Sequence, residues 1–445
     1  MNTPICDFVK RYAARRALRL HMPGHKGVSH LGCEARDITE IEGADSLYEA
    51  NGIIRKSEEN ASRLFGANTF YSTEGSSQCI RAMLYLVTLW AQAGGKKPLI
   101  FAGRNAHKSL LSALALCDCE VRWLYPQDEG NYLSCQISAD NLEQVLQNAD
   151  EKPNAVYLTS PDYLGNVVDV AALAAVCHRY GVLLLVDNAH GAYLRFLPVS
   201  SHPIDLGADL CCDSAHKTLP VLTGGAYLHV SCKADPFFAR EAKNALALFG
   251  STSPSYLILQ SLDKANSFLE GFSASLCAYL PAVDALRAAL VAHGYVLQGQ
   301  EMLKITVCPK LYGYTGTELA VILEKQNILS EFADPDHVVL MLSPMLGEEA
   351  LLRVRDALLS VPRRTPITLG PPPVPRTERV LSPRAACFLP RKTVPAAESE
   401  GCILAAATVG CPPAVPIAVC GERIDRAAVE AFAYYGIDEC AVILE

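Results

Sequence analysis

The chain has 445 residues, half of them hydrophobic and 19% charged. That length points to two or three domains with a sizeable core, and that composition excludes a disordered chain. The net charge of −8 comes with no basic block, which argues against a nucleic-acid partner.

The 17 cysteines are scattered without a CxxC pair, so they read as buried small hydrophobes in a reducing compartment rather than as a disulfide framework. MNTPICDFVKRYAARRALRLHMPG lacks the apolar core of a signal peptide. No apolar run approaches the ~18 residues of a membrane span. A cytoplasmic protein without a membrane partner is expected.

Taken in chain order, residues 1–60 read as an irregular arm with a basic amphipathic start, ending past HMPGHKG. Residues 61–264 then alternate short apolar strands with amphipathic helices. SEENASRLFGA reads as a helix, NTFYST as a strand, SSQCIRAMLYLVTLWAQ as a helix, KPLIFAG as a strand and HKSLLSALALC as a helix. NAVYLTS, VLLLVDNA, ADLCCDS and GGAYLHV follow as strands, with VAALAAVCHRYG as a helix. Such alternation predicts an α/β domain with a mostly parallel sheet. A smaller α/β subdomain is expected over 265–361, an extended proline-rich linker over 362–377, and a tail domain over 378–445. In that tail GCILAAATV and AVPIAVCG look β-like and DRAAVEAFAYYG helical.

Ligands in open α/β sheets bind at the carboxyl ends of strands, and four predicted strands end in polar clusters. One runs into Gly75, Ser76 and Ser77 at a helix start, which suits a phosphate and equally an ordinary N-cap. A second runs into His107. A third ends in Asp187, followed by Asn188, Ala189 and His190. The fourth leads to Ser214, His216 and Lys217. A carboxylate closing a run of Val and Leu needs a partner, and a protonated ring nitrogen would serve. A desolvated lysine can form a Schiff base. A phosphate cradle, an acid and a lysine, in that order on an α/β scaffold, are the anchors of pyridoxal 5'-phosphate. HMPGHKG places His21 and His25 four apart, but Pro23 and Gly24 between them oppose a helical metal site, so no metal is expected.

Beyond these anchors, HMPGHKG, STEGSSQ, RNAHKS, TSPDYLGNVVD, VDNAHGAY, DSAHKTLPVLTGGAYLH, STSPSYL, SPRAACFLP and PPAVPIAVCGERI follow one another from residue 20 to about 424. In these pieces the chain resembles the short form of the Orn/Lys/Arg decarboxylase family. The resemblance implies an aspartate-aminotransferase-like fold (fold type I of the pyridoxal phosphate enzymes). It also implies a homodimer with shared sites, and loss of CO2 from a basic amino acid (arginine, lysine or ornithine) through an external aldimine and a quinonoid, yielding a di- or polyamine.

By that resemblance Lys217 would carry the internal aldimine and Asp187 would pair with the pyridine nitrogen. Gly75, Ser76 and Ser77 would hold the phosphate with Ser214 and His216. His107 would stack on the ring, with Ala189 beneath it and His190 in the same cofactor pocket. Thr252 and Ser253 would lie near the phosphate of the partner subunit. Lys217 or His216 would return a proton to Cα. Acids that could meet the substrate's basic end are Glu42, Asp45, Asp162 and Glu422. The sequence departs from the family pattern at Asn188, Tyr193, Ala385 and Ala414, where an acid, a histidine, a glutamate and a glycine are usual. Those departures keep open a catalytically silent regulatory relative. An aminotransferase using Arg353 or Arg355 for the substrate carboxylate, or a desulfurase, are the rival fold type I readings.

Overall fold

The computed structural model describes residues 1–126, 131–406 and 414–444. They form two compact units. The first comprises residues 1–98, 149–158 and 170–274; the second comprises 99–148, 159–169 and 275–445.

Seven strands carry the predicted α/β pattern: β1 (Asn68–Ser72), β2 (Leu99–Gly103), β3 (Glu120–Leu124), β4 (Ala155–Thr159), β5 (Leu183–Asp187), β6 (Leu210–Asp213) and β7 (Ala226–Val230). In the first unit the order is β1-β7-β6-β5-β4. β5 and β6 run parallel, with Val186 opposite Cys211, whereas β7 is antiparallel to both of its neighbours. β5, β6 and β7 are apolar almost end to end and almost wholly buried, as expected of strands covered on both faces. In the second unit β2 and β3 pair in parallel.

Helix Gly75–Ala93 follows β1 directly. Its buried positions, among them Cys79, Ile80, Met83, Leu86 and Val87, recur at the helical period. Beneath β6 and β7, Phe65 is fully buried and its ring meets those of Phe196, His202, Tyr227 and His229 at centroid separations of 4.6–5.7 Å. The second unit has a four-stranded antiparallel sheet built from Val296–Gln298, Lys304–Cys308, Phe332–Ala333 and Val338–Met341. Its apolar core also takes in Leu404, Ile417, Phe432 and Val442 from the tail.

Several elements depart from the sequence reading. The arm is not irregular throughout, since Pro4–Ala14 is helical and the next helix begins at Ile53. The strand Glu120–Leu124 and the helices Ala139–Gln147, Pro236–Leu248 and Tyr256–Leu269 went unread. In the tail, Ile403 and Leu404 make isolated bridges rather than a strand, and Ala414–Gly421 is not a strand. The tail's strands are instead Glu378–Arg379, Arg391–Pro395, Glu422–Arg423 and Glu439–Ile443. The rest of GCILAAATV, from residue 407 on, and residues 411–413 lie outside the described residues. Among the described residues one helix, Phe272–His293, is long and apolar enough by length and composition to cross a membrane, although charged residues interrupt its apolar run. It carries Asp284 and Arg287, and Arg287 donates to the carbonyls of Glu301 and Lys304.

Candidate active site

Asp187 is the last residue of β5, so its side chain leaves the sheet at a strand's carboxyl end. It is 2% exposed. Its carboxylate accepts hydrogen bonds from the Tyr157 hydroxyl at 3.0 Å and the Ala189 N–H at 3.2 Å, with the Cys212 thiol at 3.6 Å. All three donors are neutral. Burial pushes the Asp187 carboxyl up from its ordinary value, while the charge of Lys217 and the Tyr157 hydrogen bond pull the other way.

Lys217 sits on the single helical turn Ala215–Thr218 that follows β6. Its Nζ lies 3.0 Å from His190 Nε2. A neutral imidazole at that distance can accept from the ammonium and exchange a proton with it. Lys217, His190 and Asp187 thus arise from two adjacent parallel strands, whose register places Asp187 opposite Cys212.

The departure at Asn188 has a structural reason. Its Nδ2 donates to Asp213 Oδ1 at 2.7 Å. Asp213 Oδ2 in turn meets His202 Nε2 at 3.0 Å and His229 Nε2 at 3.1 Å, all fully buried. Burial alone would raise the Asp213 carboxyl, but the two imidazoles overcome it and hold the group well below the usual carboxylate range. An acid at position 188 would set two carboxylates in contact. Tyr193, where a histidine is usual, is completely buried in the turn Ala192–Phe196. Ala385 is exposed, and its N–H caps onto Ser382 Oγ.

At the start of helix Gly75–Ala93, the Gly75 N–H is committed to the Gly224 carbonyl at 2.7 Å. Gly75 therefore contributes by lacking a side chain: its φ is 71°, and a Cβ added there would meet no atom within 4 Å. The Ser214 hydroxyl donates to Ser76 Oγ at 2.8 Å. His216 Nδ1 is 3.0 Å from the Gly225 carbonyl, which fixes the ring. The structure thus gathers Gly75, Ser76, Ser214 and His216 at a helix N-terminus, whose dipole favours an anion. A buried carboxylate with neutral donors alone suits a protonated ring nitrogen, and the Ser76–Ser214 cradle suits a phosphate. The first unit's residues therefore fit pyridoxal 5'-phosphate. Thr252 and Ser253 lie exposed in the loop before helix Tyr256–Leu269.

In the second unit His107 is the N-cap of helix Lys108–Cys117, its Nδ1 accepting from the Ser109 N–H at 3.1 Å. Near it the Lys108 N–H reaches the Ala414 carbonyl at 2.9 Å. Arg104, just past β2 and almost fully buried, donates to the carbonyls of Pro416 and Ile417 and pairs with Glu422 at 3.3 Å. Ala414 adopts a φ of 59°, the left-handed region.

Three of the four acids expected to meet a substrate are instead spent on the protein. The carboxylate of Asp45 accepts backbone N–H bonds from Ser46, Asn51, Gly52 and Ile54 and so anchors the start of helix Ile53–Phe65. Asp162, 1% exposed, accepts from Leu164 N, Asn166 N and Asn166 Nδ2. Glu422 is occupied by Arg104 and the Val419 N–H. Glu42 is exposed. His21 and His25 are not paired with each other: His21 meets the Tyr12 hydroxyl and His25 meets Asp37.

Sequence reasoning missed Tyr157, Asp213, His202 and His229. Asp213 closes DLCCD just as Asp187 closes VLLLVD, and that parallel was the available signal. His229 is an isolated imidazole inside an apolar strand, and His202 lies in a loop, so neither pattern announces a partner.

The family model for the Orn/Lys/Arg decarboxylase major domain matches residues 3–278. An uncharacterized Bacillus subtilis protein, YaaO, is 30% identical, the alignment covering 97% of this chain and 93% of that protein. An arginine decarboxylase of Halalkalibacterium halodurans is 29% identical over 95% of this chain and 91% of its own. Among solved structures, the lysine decarboxylase of Francisella novicida superposes with a TM-score of 0.80, covering 99% of this chain and 81% of that one at 16% identity, which carries the fold.

Proposed function

Because the chain belongs to the Orn/Lys/Arg decarboxylase family, and is a fold type I, pyridoxal-phosphate-dependent carboxy-lyase, we propose that it removes CO2 from arginine and releases the corresponding amine. The observation that carries the catalytic reading is the Asp187–Lys217–His190 group at the ends of β5 and β6. Arginine is put ahead of lysine and ornithine because full-length relatives at 26–29% identity are named arginine decarboxylases.

Lys217 Nζ would hold the cofactor's carbonyl carbon, and Ser76, Ser77, Ser214 and His216 its phosphate. When bound, pyridoxal phosphate supplies the electron sink for the pair left behind by CO2. Asp187, fixed by Tyr157 and Ala189, would favour a proton on the cofactor's ring nitrogen through its negative charge. Lys217 would move a proton to Cα, and His190, whose Nε2 lies 3.0 Å from Lys217 Nζ, would exchange it. For His107, Ala189 and a shared-site homodimer using Thr252 and Ser253, the support is the family resemblance. The aminotransferase alternative finds less support: Arg353 donates to the carbonyls of Gln326 and Asn327, and Arg355 pairs with its exposed neighbour Asp356.

The test is CO2 release by the cofactor-loaded protein from arginine, lysine and ornithine in parallel, with keto acid measured alongside. Release fastest from arginine is expected. Keto acid without CO2 would overturn the decarboxylase reading, and release fastest from lysine or ornithine would overturn the choice of substrate.

A further inference from the structure

Two cysteines of the second unit have no part in the proposed chemistry. Cys387 ends the short helix Pro383–Cys387, and Cys420 lies just before the strand Glu422–Arg423. Their sulfurs are 3.6 Å apart, and a disulfide needs ~2.05 Å, so closure asks for a small shift only. Cys387 is half-buried beside the exposed Phe388, whereas Cys420 is buried. The pair is therefore one accessible sulfur backed by one sheltered sulfur. That is the arrangement of an attacking and a resolving thiol.

We propose that Cys387 and Cys420 form a reversible disulfide, with a small disulfide of the glutathione type as oxidant. The Cys387 thiolate attacks one sulfur of the oxidant, making a mixed disulfide and expelling one small thiolate. Cys420 gives up its proton and attacks Cys387 Sγ, expelling the second. Two electrons leave the cysteine sulfurs and reduce the oxidant to two small thiols, which take up the two protons lost by the cysteines. The order follows from the surroundings. The hydrogen bond with Cys420, helped by the Arg391 charge, draws the Cys387 thiol down to about 7, while the same bond and burial push Cys420 up.

The cross-link would brace one helix from two sides. Cys420 belongs to the segment whose Ala414 carbonyl holds the Lys108 N–H, at the start of helix Lys108–Cys117. The helix of Cys387 sends Arg384 to the Ala115 carbonyl near the other end of the same helix. His107 caps that helix, so the oxidation state of the pair bears on how firmly the cap is held.

The experiment treats the cofactor-loaded protein with oxidised glutathione, blocks remaining thiols in denaturant, and maps non-reduced peptides by mass spectrometry. A Cys387–Cys420 peptide pair, removed by dithiothreitol, is expected. Cys420→Ser should instead retain glutathione on Cys387. The exposed Cys232 and Cys277 report that the oxidant has acted. Glutathione left on Cys387 of the unaltered protein with Cys420 free would overturn the proposal, as would both thiols remaining unmodified while Cys232 and Cys277 react.

Discussion

Asn188 and Asp213 meet at 2.7 Å in the buried layer beneath the strand ends that carry Asp187 and Lys217. The amide supplies the donor that a carboxylate at position 188 could not. Asn188→Asp should therefore force two buried carboxylates together, one of them protonated. A loss of roughly 2–4 kcal/mol in urea unfolding at pH 8 is expected. The new acid would have a raised pKa in the folded state, so the folded form binds the extra proton and the loss should shrink as pH falls toward 5. A deficit that grows on acidification would contradict this account.

Ala414, at the position where the family resemblance implies glycine, holds a φ of 59°. A left-handed alanine costs ~1–2 kcal/mol, partly offset by the greater freedom of glycine in the unfolded chain. Ala414→Gly should stabilise the protein by roughly 0.5–1 kcal/mol, read from the urea midpoint at unchanged slope.

His337 gives a pH signature. Burial would push its imidazole down, but the hydrogen bond and charge of Asp334 raise it to about 10, with Cys308 contributing. A histidine held up in this way stabilises the fold fully below its unfolded value of ~6.5 and loses that contribution as pH rises toward 10. Unfolding free energy should decline between pH 7 and 10 in the unaltered protein. The Asp334→Asn variant, less stable at pH 7, should show a flatter profile over the same range.

Asp187→Asn retains the hydrogen-bonding shape of the carboxylate while removing its charge. It should lower kcat by roughly 10²–10³-fold, the scale of losing one preorganised electrostatic group. The variant should still hold cofactor through Lys217, visible as retained absorbance of the bound cofactor. Lys217→Ala should lose both activity and that absorbance.

The alternation of strand and helix was legible because β4 to β7 are short and apolar and their helices amphipathic. The ends of β5 and β6 were legible because Asp187 and Lys217 are conspicuous after apolar runs. What escaped was decided by partners distant in sequence. Asp45 and Asp162 look like available acids in a string of letters, but backbone N–H groups of their own turns claim them. Glu422 is claimed by Arg104, over 300 residues away. The helix Pro4–Ala14 was read only as a basic amphipathic start to an irregular arm, since its buried stripe is as short as Ile5 and Val9.

Arg104 also sets an order in time. Its carbonyl acceptors, Pro416 and Ile417, lie 312 and 313 residues downstream. At synthesis rates of ~5–20 residues per second, the guanidinium waits on the order of 15–60 s before those acceptors emerge. Until then the end of β2 carries a cation with no place to be buried. This corner of the second unit should therefore be among the last regions of the nascent chain to acquire protection from proteases. Chains cut short before residue 416 should display it permanently.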